Sequence, residues 1–405
     1  MSRFRISALA NIVQRFGSRV REALATASEA ISNAVVDNDP ITVIILTRKT
    51  LMKVTQRIRE TPVESMSRFI KDMNEKGMAG LASEYRKIDM EDVPFGSHKA
   101  FVMNMAKNRY SVFEICAVKQ IIIDVLCVDE TRVVLKIGSA ESGDYIHANY
   151  VLFPEFQNKF ICTQYDIGPL QTTKDDFWRM VFQERAETIL MLCRPSEDGK
   201  PKCAVYWPEN GDKLELSTVD VEKVGEENSD FEVLLFKVQL KDEFKQSPSV
   251  SNKDPLVVKQ YRWNTWPDRG IPSHENAMIP LKLLSLVRNT RAPCVVHCSA
   301  GIGRTGTVVA IELGIRRFHD GRKVDLAMVS KFENMYISVI NFDCLDKLVR
   351  DLRKKRAQCI QTEIQYLYLS RVLTEYALSS GEPLSDDVRR TAESFLKEYD
   401  SKIKK

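Results

Sequence analysis

A ten-residue stretch with three glycines constrains this chain more than any other feature of its sequence. It runs from His297 to Gly306 and reads His-Cys-Ser-Ala-Gly-Ile-Gly-Arg-Thr-Gly. The short apolar run before it predicts a buried strand, and apolar residues recur at helical spacing between Thr307 and Phe318. We therefore expect a loop that joins a strand to a helix.

This loop has the chemistry of an anion site. Glycines let the backbone turn freely, so that consecutive N–H groups and a helix N-terminus can point at one position. Arg304 adds a planar, permanently charged group that can hold two phosphate oxygens. Cys298 lies at the mouth of the loop, where the positive field favours the thiolate over the thiol. A thiolate that faces a bound phosphate is a nucleophile.

Two other interpretations of the loop fail on nearby residues. Gly301 and Gly306 have the spacing of a Walker A motif, but Thr307 and Val308 stand where that motif requires Lys and then Ser or Thr. A zinc site is disfavoured because the chain contains no C-x-x-C pair. We expect neither a metal nor a cofactor.

The run from His297 to Gly306 resembles the signature loop of the cysteine-dependent protein tyrosine phosphatases. The resemblance implies hydrolysis of phosphotyrosine in proteins, with Cys298 as nucleophile and Arg304 as phosphate ligand. It implies that Thr305 donates a hydrogen bond to the thiolate during release, and that His297 orders the loop. The further loop residues expected to bind phosphate are Ser299, Ala300, Gly301, Ile302 and Gly303.

Two further segments resemble catalytic motifs of this family. Trp266-Pro267-Asp268, followed by Gly270, resembles the mobile acid loop, in which Asp268 would protonate the departing tyrosine oxygen. The segment from Gln361 to Tyr366 resembles the one whose side-chain amides hold the hydrolytic water. The resemblance therefore assigns Gln361 and Gln365 to that water, with Asp268 taking its proton.

Other segments resemble the recognition and framework parts of the family. Lys107-Asn108-Arg109-Tyr110 opens the recognition loop, where Tyr110 would pack against the phosphotyrosine ring and Asp124 would also bind substrate. Asp144 to Tyr150 resembles a family strand, with His147 in place of the usual Asn. Glu197 is placed to orient Arg304, although a Glu beside Asp-Gly is commonly a turn residue.

The resemblance implies an α/β fold, with a highly twisted mixed β-sheet flanked by helices in a single large domain. Alternating strand-like and helical runs support this class. We predict an N-terminal extension with a basic helix and linker over 1–60, a catalytic domain over 61–378 and a charged, solvated tail over 379–405. Four runs read as strands, namely Arg132 to Ile137, Thr188 to Cys193, Ala204 to Trp207 and Phe231 to Leu240.

Composition limits the location and the partners. Nine cysteines without paired spacing indicate reduced thiols in a cytosolic or nuclear compartment, and we predict the cytoplasm. The net charge of +4 does not imply nucleic acid, and no apolar stretch approaches the length of a membrane span. We expect a monomeric, non-receptor phosphatase in signalling, with phosphotyrosine proteins as partners. The first 35 residues resemble a transit peptide, but we favour a basic amphipathic helix.

Two segments interrupt the family pattern. Val112 to Ile123 lies inside the expected recognition loop, and a second extra segment covers about 329–342. Both begin with Val, and Val-Ser can be encoded by the sequence that opens many introns, so retained introns are one hypothesis. If the first segment is real, a catalytically impaired phosphotyrosine-binding protein is the alternative function. A phosphoinositide phosphatase is disfavoured, because the loop has no lysine for additional phosphates.

Overall fold

The structure is a computed structural model that describes residues 61–89, 98–108, 125–164, 173–209, 213–228, 231–320 and 345–403. Several expectations concern residues outside these ranges: the N-terminal extension, the substrate residues Tyr110 and Asp124, and both extra segments.

The described residues form helices of three or more turns together with short ones. The α-helices are α1 Pro62–Asp89, α2 Lys99–Met103, α3 Thr173–Gln183, α4 Ile279–Val287, α5 Arg304–Asp320, α6 Leu345–Arg353, α7 Glu363–Ser379 and α8 Asp386–Ile403. The 3-10 helices are Met105–Lys107, Asp129–Thr131, Ala140–Ser142, Asp242–Phe244 and His274–Asn276.

The strands of the described residues are short except in one antiparallel pair. They are β1 Arg132–Val134, β2 Tyr145–Val151, β3 Phe160–Thr163, β4 Thr188–Met191, β5 Ser196–Glu197, β6 Lys200–Pro201, β7 Lys213–Glu215, β8 Val219–Asn228, β9 Glu232–Leu240, β10 Leu256–Arg262 and β11 Cys294–His297.

Nine strands form one mixed sheet in the order β1-β2-β3-β11-β4-β10-β9-β8-β7, while β5 and β6 form a separate hairpin. The four central strands β3, β11, β4 and β10 are parallel to one another, and the outer pairs are antiparallel. Helix α3 packs against β2, β8 and β9. The predicted α/β fold with a mixed sheet and flanking helices is confirmed.

Strand β11 positions the glycine-rich loop. All four of its residues are buried, as expected for a strand with a parallel neighbour on each side. His297 at its end pairs with Thr163 of β3 and with Met191 of β4. The carboxyl ends of parallel strands share one edge of a sheet, and ligand sites of open α/β sheets form outside that edge. The loop therefore leaves from the centre of this edge.

Three of the four predicted strands are present, as β1, β4 and β9. The prediction of a strand from Ala204 to Trp207 is wrong, because this segment is not part of a β-ladder. Its backbone is held by a side chain instead: Trp178 Nε1 donates to the Tyr206 carbonyl oxygen at 2.7 Å. An apolar run cannot reveal this arrangement. Apolar residues indicate that a segment is buried, but they do not show which groups pair with its backbone.

The described residues fall into two compact units. The larger takes its residues from Lys76–Gly314, Leu348–Leu373 and Glu398–Lys405 and contains the sheet. The smaller takes its residues from Met1–Glu75, Ile315–Lys347 and Thr374–Lys397. Its core includes aromatic contacts of Phe318, which packs edge-on against Phe69 and stacks on Tyr376. No helix among these residues is both long enough and apolar enough to cross a membrane.

Helix α8 occupies most of the segment predicted to be a solvated tail. Its charged residues lie on an exposed face, but Val388, Ala392 and Phe395 are buried, at positions that share one side of a helix. The alternation of charges conceals this apolar stripe, because only every third or fourth residue belongs to it. The smaller unit therefore includes most of α8 in its core.

We predict that Phe395→Ala lowers the free energy of unfolding by about 3–5 kcal/mol, because a large buried ring is replaced by a cavity. Urea titration monitored by circular dichroism measures the change. The exposed neighbour Ser394 provides the control, since Ser394→Ala should change stability by less than about 0.5 kcal/mol. Equal effects of the two substitutions would mean that α8 is solvated on both faces.

Candidate active site

The glycine-rich loop turns through a left-handed conformation at Gly301. Its φ is 69°, and a Cβ there would lie 2.1 Å from the carbonyl oxygen of Thr163, so only glycine fits. Among the residues that the structure describes, no backbone carbonyl accepts from the N–H groups of 299–305. The ladder of α5 begins where Gly306 N donates to Ile302 O at 3.0 Å. The earlier N–H groups remain available to an anion.

Arg304, the first residue of α5, is held by three acceptors although its side chain is buried. Its Nη1 donates to Glu197 Oε1 at 2.7 Å and to the Trp266 carbonyl oxygen at 2.9 Å. Its Nη2 donates to Asp268 Oδ1 at 3.2 Å. Burial alone would lower the pKa of Arg304, but the nearby Cys298 and Glu197 raise it above its ordinary value. The guanidinium is therefore fixed in position and always charged.

Asp268 lies on the loop of residues 266–270 and contacts two cations. Besides Arg304, its carboxylate accepts from Lys202 Nζ at 2.6 Å. The loop closes on itself, because Trp266 Nε1 donates to the Gly270 carbonyl oxygen at 2.9 Å. The predicted acid is thus held beside the predicted phosphate ligand.

Gln361 and Gln365 lie against the glycine-rich loop. A Cβ at Gly303 would meet Gln361 Oε1 and Gln365 Nε2, each at 3.1 Å. Gln365 is fully buried, and its Nε2 also donates to the Gly270 carbonyl oxygen at 3.3 Å. One side-chain amide therefore touches both the glycine-rich loop and the acid loop.

Thr305 and His297 flank the loop on its buried side. The Thr305 hydroxyl is buried and has no hydrogen-bond partner among the described residues, so a donor is present for the predicted bond to the Cys298 thiolate. His297 is fully buried, with Nε2 2.8 Å from the Tyr206 hydroxyl and Nδ1 3.3 Å from the Cys298 carbonyl oxygen. Its ring therefore has hydrogen-bond contacts on both nitrogens.

Arg356 is a residue supporting the loop that the sequence did not reveal. It is fully buried, and it donates to the carbonyl oxygens of Ala300 at 3.0 Å and Gly301 at 3.2 Å. Its Nη1 also contacts His147 Nδ1 at 2.9 Å and Asn149 Oδ1 at 2.8 Å. It lies among five basic residues between positions 350 and 356, and nothing in their order distinguishes the buried one.

His147 must be neutral to hold Arg356. Arginine only donates, so His147 Nδ1 accepts, and its Nε2–H donates to the Val125 carbonyl oxygen at 2.8 Å. Burial and the charge of Arg356 lower the pKa of His147 to about 3. Histidine thus serves at this position as a buried polar bridge.

The structure brings together the predicted residues Cys298, Arg304, Asp268, Gln361 and Gln365 around one loop. The contact expected between Glu197 and Arg304 is present. The structure also adds Lys202, the ion-pair partner of Asp268, which sequence reasoning missed. In the sequence, Lys202 lies two residues before the predicted strand from Ala204 to Trp207, and nothing else distinguishes it.

Comparison with protein families identifies the chain. The family described as Protein-tyrosine phosphatase matches residues 118–375, which is more than half of the chain. The chain belongs to the protein-tyrosine phosphatase family. The matched residues lie within the predicted domain 61–378, and this match agrees with the convergence of Cys298, Arg304 and Asp268.

Relatives of this protein-tyrosine phosphatase are much longer proteins. Tyrosine-protein phosphatase 99A of Drosophila melanogaster is 31% identical over 345 residues, covering 82% of this chain and 23% of that protein. Tyrosine-protein phosphatase 69D of the same organism is 31% identical over 349 residues, covering 82% and 22%. Receptor-type tyrosine-protein phosphatase eta of Homo sapiens is 29% identical over 331 residues, covering 80% and 21%. The chain spans about a fifth of the length of these relatives.

We predict that Gly301→Ala weakens binding of inorganic phosphate about 100-fold, because a displaced loop loses about two charge-assisted hydrogen bonds. Isothermal titration calorimetry measures the dissociation constant. Gly381→Ala is the matched control: Gly381 also has a left-handed φ, of 80°, but no atom lies within 4 Å of a Cβ there. If both variants weakened phosphate binding equally, the close approach to Thr163 would not be the cause.

We predict that His147 makes the stability of the fold depend on pH. Its pKa in the fold, about 3, lies below the unfolded value of about 6.5, so the unfolded chain binds more protons as pH falls through this window. His147 makes its full contribution to stability above about pH 6.5. Between pH 7 and pH 5 that contribution should fall, which lowers the free energy of unfolding by about 2 kcal/mol, at about 1.4 kcal/mol per pKa unit.

Urea titrations at pH 7 and pH 5 test this contribution by comparing variants. His147→Asn keeps a polar side chain but removes the titrating group, so the loss between the two pH values should shrink by about 2 kcal/mol. His274→Asn changes an exposed histidine and should leave the loss as it is in the wild type. A wild-type loss retained in His147→Asn would contradict the assignment.

Proposed function

We propose that this protein-tyrosine phosphatase hydrolyses phosphotyrosine in proteins through a cysteinyl-phosphate intermediate. One observation carries the proposal: Arg304 binds both the backbone and the aspartate of the acid loop, at the rim of the loop that holds Cys298. A nucleophile, a phosphate ligand and an acid thus meet at one position.

In the first step the Cys298 sulfur attacks phosphorus, and the bond from phosphorus to the tyrosine oxygen breaks. The loop N–H groups and Arg304 stabilise the charge on the phosphate oxygens. When a phosphate oxygen accepts from Arg304 Nη2, it replaces Asp268 as the acceptor. The Asp268 carboxyl group can then face the oxygen of the leaving group. Asp268 then protonates that oxygen.

In the second step water attacks phosphorus and the bond to the Cys298 sulfur breaks. The amides of Gln361 and Gln365 position the water, since both lie against the loop at Gly303. Asp268, deprotonated in the first step, takes the proton of the water. Thr305 donates to the departing thiolate with a hydroxyl for which the described residues provide no other partner.

The rival functions have less support. A protein that only binds phosphotyrosine is expected to have lost the nucleophile, the arginine or the acid, whereas Cys298, Arg304 and Asp268 are all present. A phosphoinositide phosphatase would be expected to carry lysines in the loop. Substrate recognition by Tyr110 and Asp124 stays a prediction, because both lie outside the described residues.

We also propose that the reaction takes place in a reducing compartment, the cytoplasm, in signalling through phosphotyrosine. The seven cysteines of the described residues are thiols, which supports this compartment. Membership of the non-receptor class stays a prediction, since the human relative named above is receptor-type. The monomeric state and the domain limits at 61 and 378 stay predictions as well.

Asp268→Ala should separate the proton donor from the phosphate site. The nucleophile and Arg304 remain, so kcat on a phosphotyrosine peptide should fall about 100- to 10,000-fold. The loss should be much smaller for the phosphate of an acidic phenol, which departs without protonation. Steady-state kinetics on the two substrates measure both losses.

Cys298→Ser is the control for the comparison, because it should abolish turnover of both substrates while phosphate binding persists. An equal loss on both substrates in Asp268→Ala would place the general acid elsewhere. Full activity in Cys298→Ser would exclude the covalent mechanism altogether.

A further inference from the structure

Two cysteines that the proposed reaction does not use lie beside His297, directly behind the catalytic loop. One sulfur each from Cys193 and Cys203 and a ring nitrogen of His297 lie within 4.8 Å of one another, and all three side chains are buried. No disulfide joins these two cysteines, which are both thiols. Such a pair is a candidate for chemistry, because adjacent sulfurs need little movement to react.

The two cysteines flank the hairpin of β5 and β6. The neck of the hairpin is narrow, because the Pro195 carbonyl oxygen accepts from Lys202 N at 2.8 Å and from Cys203 N at 3.2 Å. The hairpin and its base carry Glu197 and Lys202, the partners of Arg304 and Asp268. A covalent link at the neck would therefore act on residues that hold the active site.

The donors and acceptors around Tyr206 favour one tautomer of His297. Gln260 Nε2 donates to the Tyr206 hydroxyl oxygen, and it also lies 3.7 Å from the Met191 sulfur, a second acceptor. The single proton of the Tyr206 hydroxyl is thus directed to His297 Nε2, at 2.8 Å. His297 then carries its own proton on Nδ1 and donates from it.

Cys193 lies next to both Cys203 and His297. Hydrogen bonds with Cys203 and with His297 lower the pKa of the Cys193 thiol against the opposing effect of burial. Burial instead raises the pKa of Cys294 and of Cys359, although Arg356 and Arg353 offset part of that effect at Cys359. A thiolate next to a thiol is an arrangement that a peroxide can convert to a disulfide.

We infer that Cys193 and Cys203 form a redox pair, which a peroxide converts to a disulfide behind the catalytic loop. The Cys193 sulfur attacks one oxygen of hydrogen peroxide, an S–O bond forms, the O–O bond breaks and hydroxide leaves. The Cys203 sulfur then attacks the sulfenic sulfur of Cys193, forming the S–S bond. The departing hydroxide takes the Cys203 proton as water, so both sulfurs are oxidised and the peroxide is reduced.

The disulfide changes the support of the catalytic loop. Cys193 can then no longer hold the negative charge that its hydrogen bond with His297 favours, and the His297 ring keeps its contacts with the Tyr206 hydroxyl and the Cys298 carbonyl oxygen. The link also ties the base of the hairpin that carries Glu197 and Lys202. Turnover should fall on oxidation and return when a dithiol reduces the bond. The pair thus gives this phosphatase a redox-sensitive site separate from its nucleophile.

Mass spectrometry of the Cys298→Ser variant tests the bond without interference from the nucleophile. Reduced protein is treated with hydrogen peroxide, blocked with iodoacetamide and digested with trypsin. Cys193 then lies in peptide 186–202 and Cys203 in peptide 203–213, each with one cysteine. We expect the two peptides joined, lighter by two hydrogens, and separated by reduction. The additional change Cys193→Ser should remove the joined species, and Cys294→Ser should leave it unchanged.

Two outcomes of the mass measurement would overturn the pair. In the first, iodoacetamide still alkylates both Cys193 and Cys203 after treatment with enough peroxide to oxidise Cys298 of the wild type completely. The other is stoichiometric zinc that co-purifies and protects both thiols from iodoacetamide in the reduced protein. The latter outcome would make the three side chains a metal site instead.

Activity measurements test the consequence, and this arm rests on the proposed function. Bound inorganic phosphate shields Cys298 during peroxide treatment and is then removed by gel filtration. We expect the wild type to lose kcat and to regain it with dithiothreitol, while Cys193→Ser keeps the kcat that it had before treatment. Equal fractional losses in the two proteins would contradict the inference. A failure of phosphate to bind would instead count against the proposed function and leave the mass measurement valid.

Discussion

Arg356 donates to the carbonyl oxygens of Ala300 and Gly301, and this contact sets the direction of the loop that we propose holds phosphate. In a trans peptide the C=O and N–H groups point in opposite directions. Holding these two carbonyls therefore directs the N–H groups of Gly301 and Ile302 to the other side, toward the anion. The left-handed turn at Gly301 makes the arrangement possible, because any side chain there would collide with Thr163.

Positively and negatively charged side chains alternate around Arg304. Glu197 and Asp268 accept from its guanidinium, and Lys202 in turn donates to Asp268. A buried cation without partners would cost several kcal/mol, so the two carboxylates keep Arg304 charged and in place. One of them is also the proposed acid. A phosphate that binds Arg304 therefore acts directly on the position of Asp268, which links substrate binding to proton transfer.

The polar residues behind the loop form a second continuous network. Gln260, Tyr206 and His297 are buried and joined by hydrogen bonds, and Cys193 lies at the end of the series. The contacts on both of its nitrogens hold the His297 ring in place. The same burial places two sulfurs side by side. Support of the nucleophile and redox chemistry therefore depend on one group of side chains.

The sequence by itself determined the parts of the site that are contiguous in the chain. His297 to Gly306 contains the proposed nucleophile, the proposed phosphate ligand and the glycines in one run, and a strand before it and a helix after it follow from local periodicity. The acid loop around Asp268 is contiguous as well. Only the tertiary structure decided which buried arginine holds the loop, which lysine holds the acid and which cysteines meet. Those pairs are separated by tens of residues or by a hairpin, and local spacing carries no information on contacts that the packing of the sheet creates.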